Sequence, residues 1–144
     1  MRYLIRWCLN SDMSKKVVII GSATLQEKIQ SWKFWWEEKG CEVIDYPRPI
    51  PADNFLKFYP EVHQNFYSNL MKADIIFVMN ENKNGVTGYI GAESFAEMAF
   101  GVAQNLVHDK SIEILLLQMP EEKVQSYSEV DLWLELGWIK LFSD

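Results

Sequence analysis

Apolar residues in this chain fall into short unbroken runs that alternate with stretches of helical period. Residues 16–21 (KVVIIG) form a continuous β-branched run, as in a strand buried on both faces. Leu25, Ile29, Trp32 and Trp36 then recur at helical spacing, with Ser22 and Thr24 as candidate N-caps and Gly40 as the stop. Residues 41–45 (CEVID) read as a second strand. Four of the five prolines (Pro47, Pro49, Pro51, Pro60) fall within residues 46–60, which predicts a long irregular loop of the kind that often carries function. A helix is expected over 61–72, with Val62, Phe66 and Leu70 on one face. A strand over 74–79 (DIIFVM) and a turn-rich loop over 80–88 (NENKNGVTG) follow. A helix over 90–106, a strand over 112–117 (IEILLL), a helix over 124–136 and a short strand over 138–142 (WIKLF) complete the pattern.

Strict alternation of strand and helix implies a parallel sheet with helices on both faces. Five strands favour an α/β, flavodoxin-like, doubly wound sheet of order 2-1-3-4-5, with ligands expected beyond the carboxyl ends of strands one and three. The 144 residues suit one domain, with no internal repeat, low-complexity tract or linker to divide it. Residues 1–12 (MRYLIRWCLNSD) have a basic start and a short apolar stretch, but Arg6 interrupts it and no small-residue cleavage site follows. The functional chain is expected to begin at Met13, with residues 1–12 an upstream extension expected to be disordered and 13–144 the domain.

Composition narrows the function classes. Hydrophobic residues make up 49% and charged residues 24%, which excludes a mainly disordered chain. Fourteen basic against 20 acidic residues, net −6, leave no basic stripe for a nucleic-acid polymer. A single small anion held by backbone N–H groups remains compatible with that balance. Cys8 and Cys41 make neither a disulfide framework nor a zinc site and suit a reducing, cytoplasmic interior, with Cys41 inert at a strand start. No apolar run approaches the roughly 20 residues of a membrane span.

The carboxyl-end rule selects the Gly21-Ser22-Ala23 turn, the loop over 80–88 and the start of the helix after it. The turn lacks the spacing of a dinucleotide or Walker-type loop, and it lacks the Ser/Thr run that would wrap a flavin phosphate. In GYIGAESFAEMAFG (88–101), Glu93 and Glu97 are four apart and share a helix face, roughly 5–6 Å apart at Cβ. Both lie in the first two turns, where the helix dipole favours a carboxylate. Gly91, Ala92, Ser94, Ala96 and Ala99 are small and permit close approach of a substrate. Two carboxylates at a strand's carboxyl end suit glycosyl transfer, and they equally suit a solvated acidic face. His63 reads as a cap or surface residue and His108 as a helix C-terminal cation. Trp32, Trp35 and Trp36 read as core or partner surface.

The segments VVIIGSA, ADIIFVMNE, GAESFAEMAFGVAQN and ILLLQMP, over about residues 15–120, resemble the nucleoside 2-deoxyribosyltransferase-like superfamily, which includes deoxynucleoside 5′-monophosphate N-glycosidases. The resemblance implies that Glu97 is the nucleophile that attacks the anomeric carbon. Ala99 stands where the family often has Gly, and Glu93 is an extra carboxylate one turn earlier. The base-handling Asp that the family places eight residues before Asp74 falls on Phe66, beside Asn65. The resemblance further implies substrate contacts from Gly21, Ser22, Ala23, Asn80, Gly91 and Glu93, no metal or other cofactor, a nucleoside or nucleotide as small-molecule partner, and association into a homo-oligomer. A non-catalytic nucleotide- or metabolite-binding or protein-interaction module on the same fold is the alternative.

Overall fold

The computed structural model describes residues 14–144, so the expected extension over 1–12 lies outside the described residues. Strand β1 (Lys16–Ile20), helix α1 (Gln26–Glu38) and strand β2 (Glu42–Asp45) open the fold. A 3₁₀ turn (Ala52–Asn54), helix α2 (Phe55–Lys72) and strand β3 (Ile75–Val78) follow. Helix α3 (Ala92–His108), strand β4 (Glu113–Leu116), helix α4 (Tyr127–Leu136) and strand β5 (Lys140–Leu141) complete it.

All strand pairings are parallel and the order is β2-β1-β3-β4-β5. This is the doubly wound α/β arrangement that the alternation implies. Its reason is visible in the strands: β3 is buried at all four residues and β1 at all but Lys16. Their apolar runs therefore need cover on both faces. On one face Val18, Ile20, Ile76, Val78, Ile114 and Leu116 pack with Leu70 of α2, Met98 and Val102 of α3, and Val130 and Trp133 of α4. On the other, Val17, Ile19, Ile75, Phe77 and Leu115 meet Ile29 and Trp36 of α1. There Trp32, Trp35 and Trp36 stack edgewise or tilted with Phe77 and Phe142, so the tryptophans belong largely to the core.

Two expectations change. The stretch over 46–60 is not loop throughout, because α2 begins at Phe55 and Pro60 lies inside it. A proline there removes one N–H bond, the one that would reach the carbonyl of Leu56. Leu56 and Pro60 are both exposed, so this turn faces solvent, where an unpaired carbonyl costs little, and the helix runs on. Cys41, buried at the head of β2, is disulfide-bonded rather than a free thiol. Among the described residues no helix is long and apolar enough to cross a membrane.

Candidate active site at the carboxyl ends of the strands

A cavity of about 660 Å³ opens at the carboxyl ends of β1, β2 and β3, where the strand order reverses. That is within the usual range for small-molecule sites. Gly21, Ser22 and Ala23 form one wall, and Gly91, Ala92, Glu93, Ser94 and Glu97 from the start of α3 form another. Of the residues expected at the site, all but Asn80 line this cavity.

Asn80 is buried and fully engaged elsewhere. Its Nδ2 donates to the carbonyls of Gly88 at 3.3 Å and Gln118 at 2.7 Å, and its Oδ1 accepts from the Gln118 N–H at 3.3 Å. Asn80 thus clamps the loops after β3 and β4 together. Gly88 makes that clamp possible: its φ is +65°, and a Cβ there would fall 2.7 Å from Pro120 Cα.

Glu97 is 6% exposed, a low value for a carboxylate. Burial, to which the nearby Glu93 and Asp45 carboxylates add, pushes its carboxyl from the ordinary 4.5 up to about 8. The helix dipole does not hold it ionised, contrary to the sequence expectation. Glu97 is the sixth residue of α3, and the dipole's influence fades beyond the first turn. Glu93, in that first turn, is exposed and meets an imidazole: its Oε1 lies 3.0 Å from Nε2 of His63. Tyr67 stands behind the two, and its phenol is pushed up by burial and by the Glu97 and Glu93 charges.

The structure adds Asp45, His63 and Lys83 to the cavity wall. Asp45 ends β2; its Oδ1 accepts the Tyr46 N–H and its Oδ2 accepts Asn69 Nδ2, both at 2.8 Å. These bonds fix the carboxylate toward the cavity. The carboxyl-end rule applied to the second strand points to this residue. Phe66 and Asn65 do line the cavity, with no carboxylate at either position, while Asp45 brings a carboxylate from a different element. Lys83 projects from a tight hairpin whose signal is the Asn84-Gly85 pair. Among the described residues no group of three or more His, Cys, Asp or Glu is arranged to hold a metal ion.

Comparison of the chain with family models, with curated proteins and with solved structures finds no match.

Proposed function

We propose that this chain cleaves or transfers the N-glycosidic bond of a 2-deoxynucleoside or its 5′-monophosphate, with Glu97 as nucleophile. The observation that carries the reading is Glu97 itself, a carboxylate buried in the wall of a ligand-sized cavity with its proton affinity raised to about 8. A carboxyl set in a cleft beside others is a candidate for covalent glycosyl transfer in its ionised form, whose population grows as pH rises through about 8. An ionised Glu97 oxygen attacks the anomeric carbon as the C1′–N bond breaks. The electron pair leaves with the base, which takes up a proton. Water, or the nitrogen of a second base, then attacks the same carbon and releases the carboxylate. Positive charge developing on the sugar favours the ionised form of Glu97 at the moment it is needed. Asp45 and Glu93 lie close enough to add to that field.

The test is release of free base from a panel of deoxynucleosides and their monophosphates by the wild-type chain and by Glu97→Gln. Base release that the substitution abolishes, with the far-UV spectrum unchanged, supports the assignment. Undiminished release from the variant overturns it.

One observation favours a second reading, a binding module without turnover. At neutral pH Glu97 holds its proton and is a hydrogen-bond donor. Calorimetric binding of the same panel with no base released would select this reading.

A further inference from the structure

The cavity keeps its carboxylates apart from its strong cations. Asp45, Glu93 and Glu97 line it, as do Arg48 and Lys83. Yet among the described residues no lysine or arginine nitrogen lies within 4.0 Å of any of these three carboxylates. Asp45 accepts only from neutral donors, the Tyr46 N–H and Asn69 Nδ2. Glu93 meets an imidazole. Glu97, 6% exposed, has neither a hydrogen bond nor an ion pair among the described residues.

The aromatic rings of the wall divide in the same way. Tyr46, Phe58 and Tyr89 each have a side-chain cation over the ring, from Arg48, Lys57 and Lys83 at 4.3, 5.7 and 5.0 Å from the centres. Phe66, half-buried against the core, has none among the described residues. A ring face and a buried carboxylate both attract positive charge, and here neither has a cation of the chain's own. Proton donors for a departing base are scarce by the same count. Asp45 accepts at both oxygens, and both ring nitrogens of His63 are engaged, by the Tyr59 carbonyl and by Glu93. A neutral base must take up a proton as it leaves, whereas a base that already carries positive charge leaves as a neutral ring.

We propose that the preferred substrate is a 2-deoxynucleoside whose purine is alkylated on a ring nitrogen and so carries positive charge, with Asp45 and the Phe66 ring receiving that charge. This rests on the glycosidic reading and names its substrate class. A Glu97 oxygen bonds to C1′ as the C1′–N bond breaks. The bonding pair passes to the ring nitrogen and cancels the charge, so the base departs neutral with no proton transferred. Water then attacks C1′, the carboxylate is released, and the water's second proton goes to solvent. The same charge prepares the nucleophile. Burial, Glu93 and Asp45 raise the Glu97 carboxyl to about 8, and a cation in the cavity opposes that rise and favours its ionised form. The other titratable groups at this wall are His63, against Glu93, and Tyr67, both on α2.

The experiment measures base release from 1-methyl-2′-deoxyadenosine, cationic at neutral pH, and from 2′-deoxyadenosine. Each kcat/KM is divided by the uncatalysed rate of the same substrate, which removes the intrinsic lability of the alkylated base. The wild type is expected to favour the methylated substrate by about tenfold or more, the combined effect of a carboxylate and a ring face on a cation. Asp45→Asn and Phe66→Leu each reduce that ratio by about threefold or more, and Asp45→Glu restores part of it. Purely structural roles for Asp45 and Phe66 would depress both substrates alike. A corrected ratio near one, or a ratio that both variants leave unchanged, overturns the proposal. If neither substrate is cleaved, the glycosidic reading falls, and calorimetry with the 1,9-dimethyladenine cation and neutral 9-methyladenine decides the charge preference separately. Tighter binding of the cation, lost in Asp45→Asn, sustains it. Equal binding of the two, or a preference that survives the substitution, refutes it.

Discussion

His63 Nε2 lies 3.0 Å from Glu93 Oε1, and the contact ties α2 to the first turn of α3 at the cavity wall. The other ring nitrogen, Nδ1, is 3.2 Å from the carbonyl oxygen of Tyr59. A carbonyl can only accept, so in that contact Nδ1 is the donor, and Nε2 is the ring atom that faces the carboxylate. Tyr59 stacks on the ring with centroids 3.8 Å apart, which holds the imidazole in this plane. Glu93 is therefore a charge with a local partner, positioned one turn before Glu97.

The first prediction follows from that partnership. After burial, Glu93 is the largest contributor to the raised proton affinity of Glu97. Glu93→Gln removes a negative charge and lowers the Glu97 pKa from about 8. If ionised Glu97 is the nucleophile, kcat/KM rises with pH through the Glu97 pKa, and Glu93→Gln moves that limb to lower pH. A pH-rate profile of the variant measures the shift. An unmoved limb, or one moved to higher pH, would contradict the arrangement.

Glu97 also makes stability depend on pH in a direction set by its shift. Its carboxyl titrates at about 8 in the folded chain, against an ordinary value of 4.5. Between those values the folded state binds the proton and the unfolded state does not, so stability falls as pH rises. The full contribution is present below about pH 4.5 and is lost by the time pH has passed about 8. Glu97→Gln removes this dependence. Urea midpoints of the variant should match the wild type near pH 5 and exceed it near pH 9.

How far the sequence discloses this site depends on which residues are asked about. The sheet order is legible because β1 and β3 are continuous apolar runs, which only a two-faced parallel sheet accommodates. Glu97 is legible from its spacing and motif, but its protonation is not. That rests on tertiary burial and, after the nearby Glu93, on Asp45, which is remote in sequence. His63 is obscured by Pro60: with a helix start expected at residue 61, His63 falls in a first turn and reads as a cap. The true start at Phe55 places it mid-helix, facing Glu93. Lys83 is hidden among turn residues, although Asn84-Gly85 already encodes the hairpin that aims it. Asn80 misleads in the opposite sense. It sits at the carboxyl end of β3, where a ligand contact is expected, but two loop carbonyls occupy its donors.

Because Asn80 is a clamp, its loss registers first in stability. Asn80→Ala leaves the carbonyls of Gly88 and Gln118 without their side-chain donor and the Gln118 N–H without its acceptor. Unsatisfied buried groups of this kind cost about 1–3 kcal/mol. The expected outcome is a lower urea midpoint with an unchanged slope. Asn80→Asp should be worse, since a carboxyl oxygen would then face two carbonyls. A midpoint within about 0.5 kcal/mol of wild type would show that Asn80 is dispensable to the loops.

Pro60 offers a test of the helix that carries His63. Residues 51–62 are all exposed, and the turns of α2 before Pro60 lack the bond to the Leu56 carbonyl. Few tertiary contacts compensate, for Phe55, Leu56, Phe58, Tyr59 and Val62 all present substantial apolar surface to solvent. Hydrogen exchange should therefore be faster over residues 55–62 than over 66–72, where Leu70 enters the core. Pro60→Ala restores the missing N–H and a favourable helix former. It should slow exchange at residues 57–63 while leaving the sheet unaffected. Because His63 bonds back to Tyr59 within this same turn, a firmer turn should also hold the His63–Glu93 contact more tightly. That appears as a change in the chemical shifts of the His63 ring. Unaltered exchange over this segment would mean that the proline is not what loosens it.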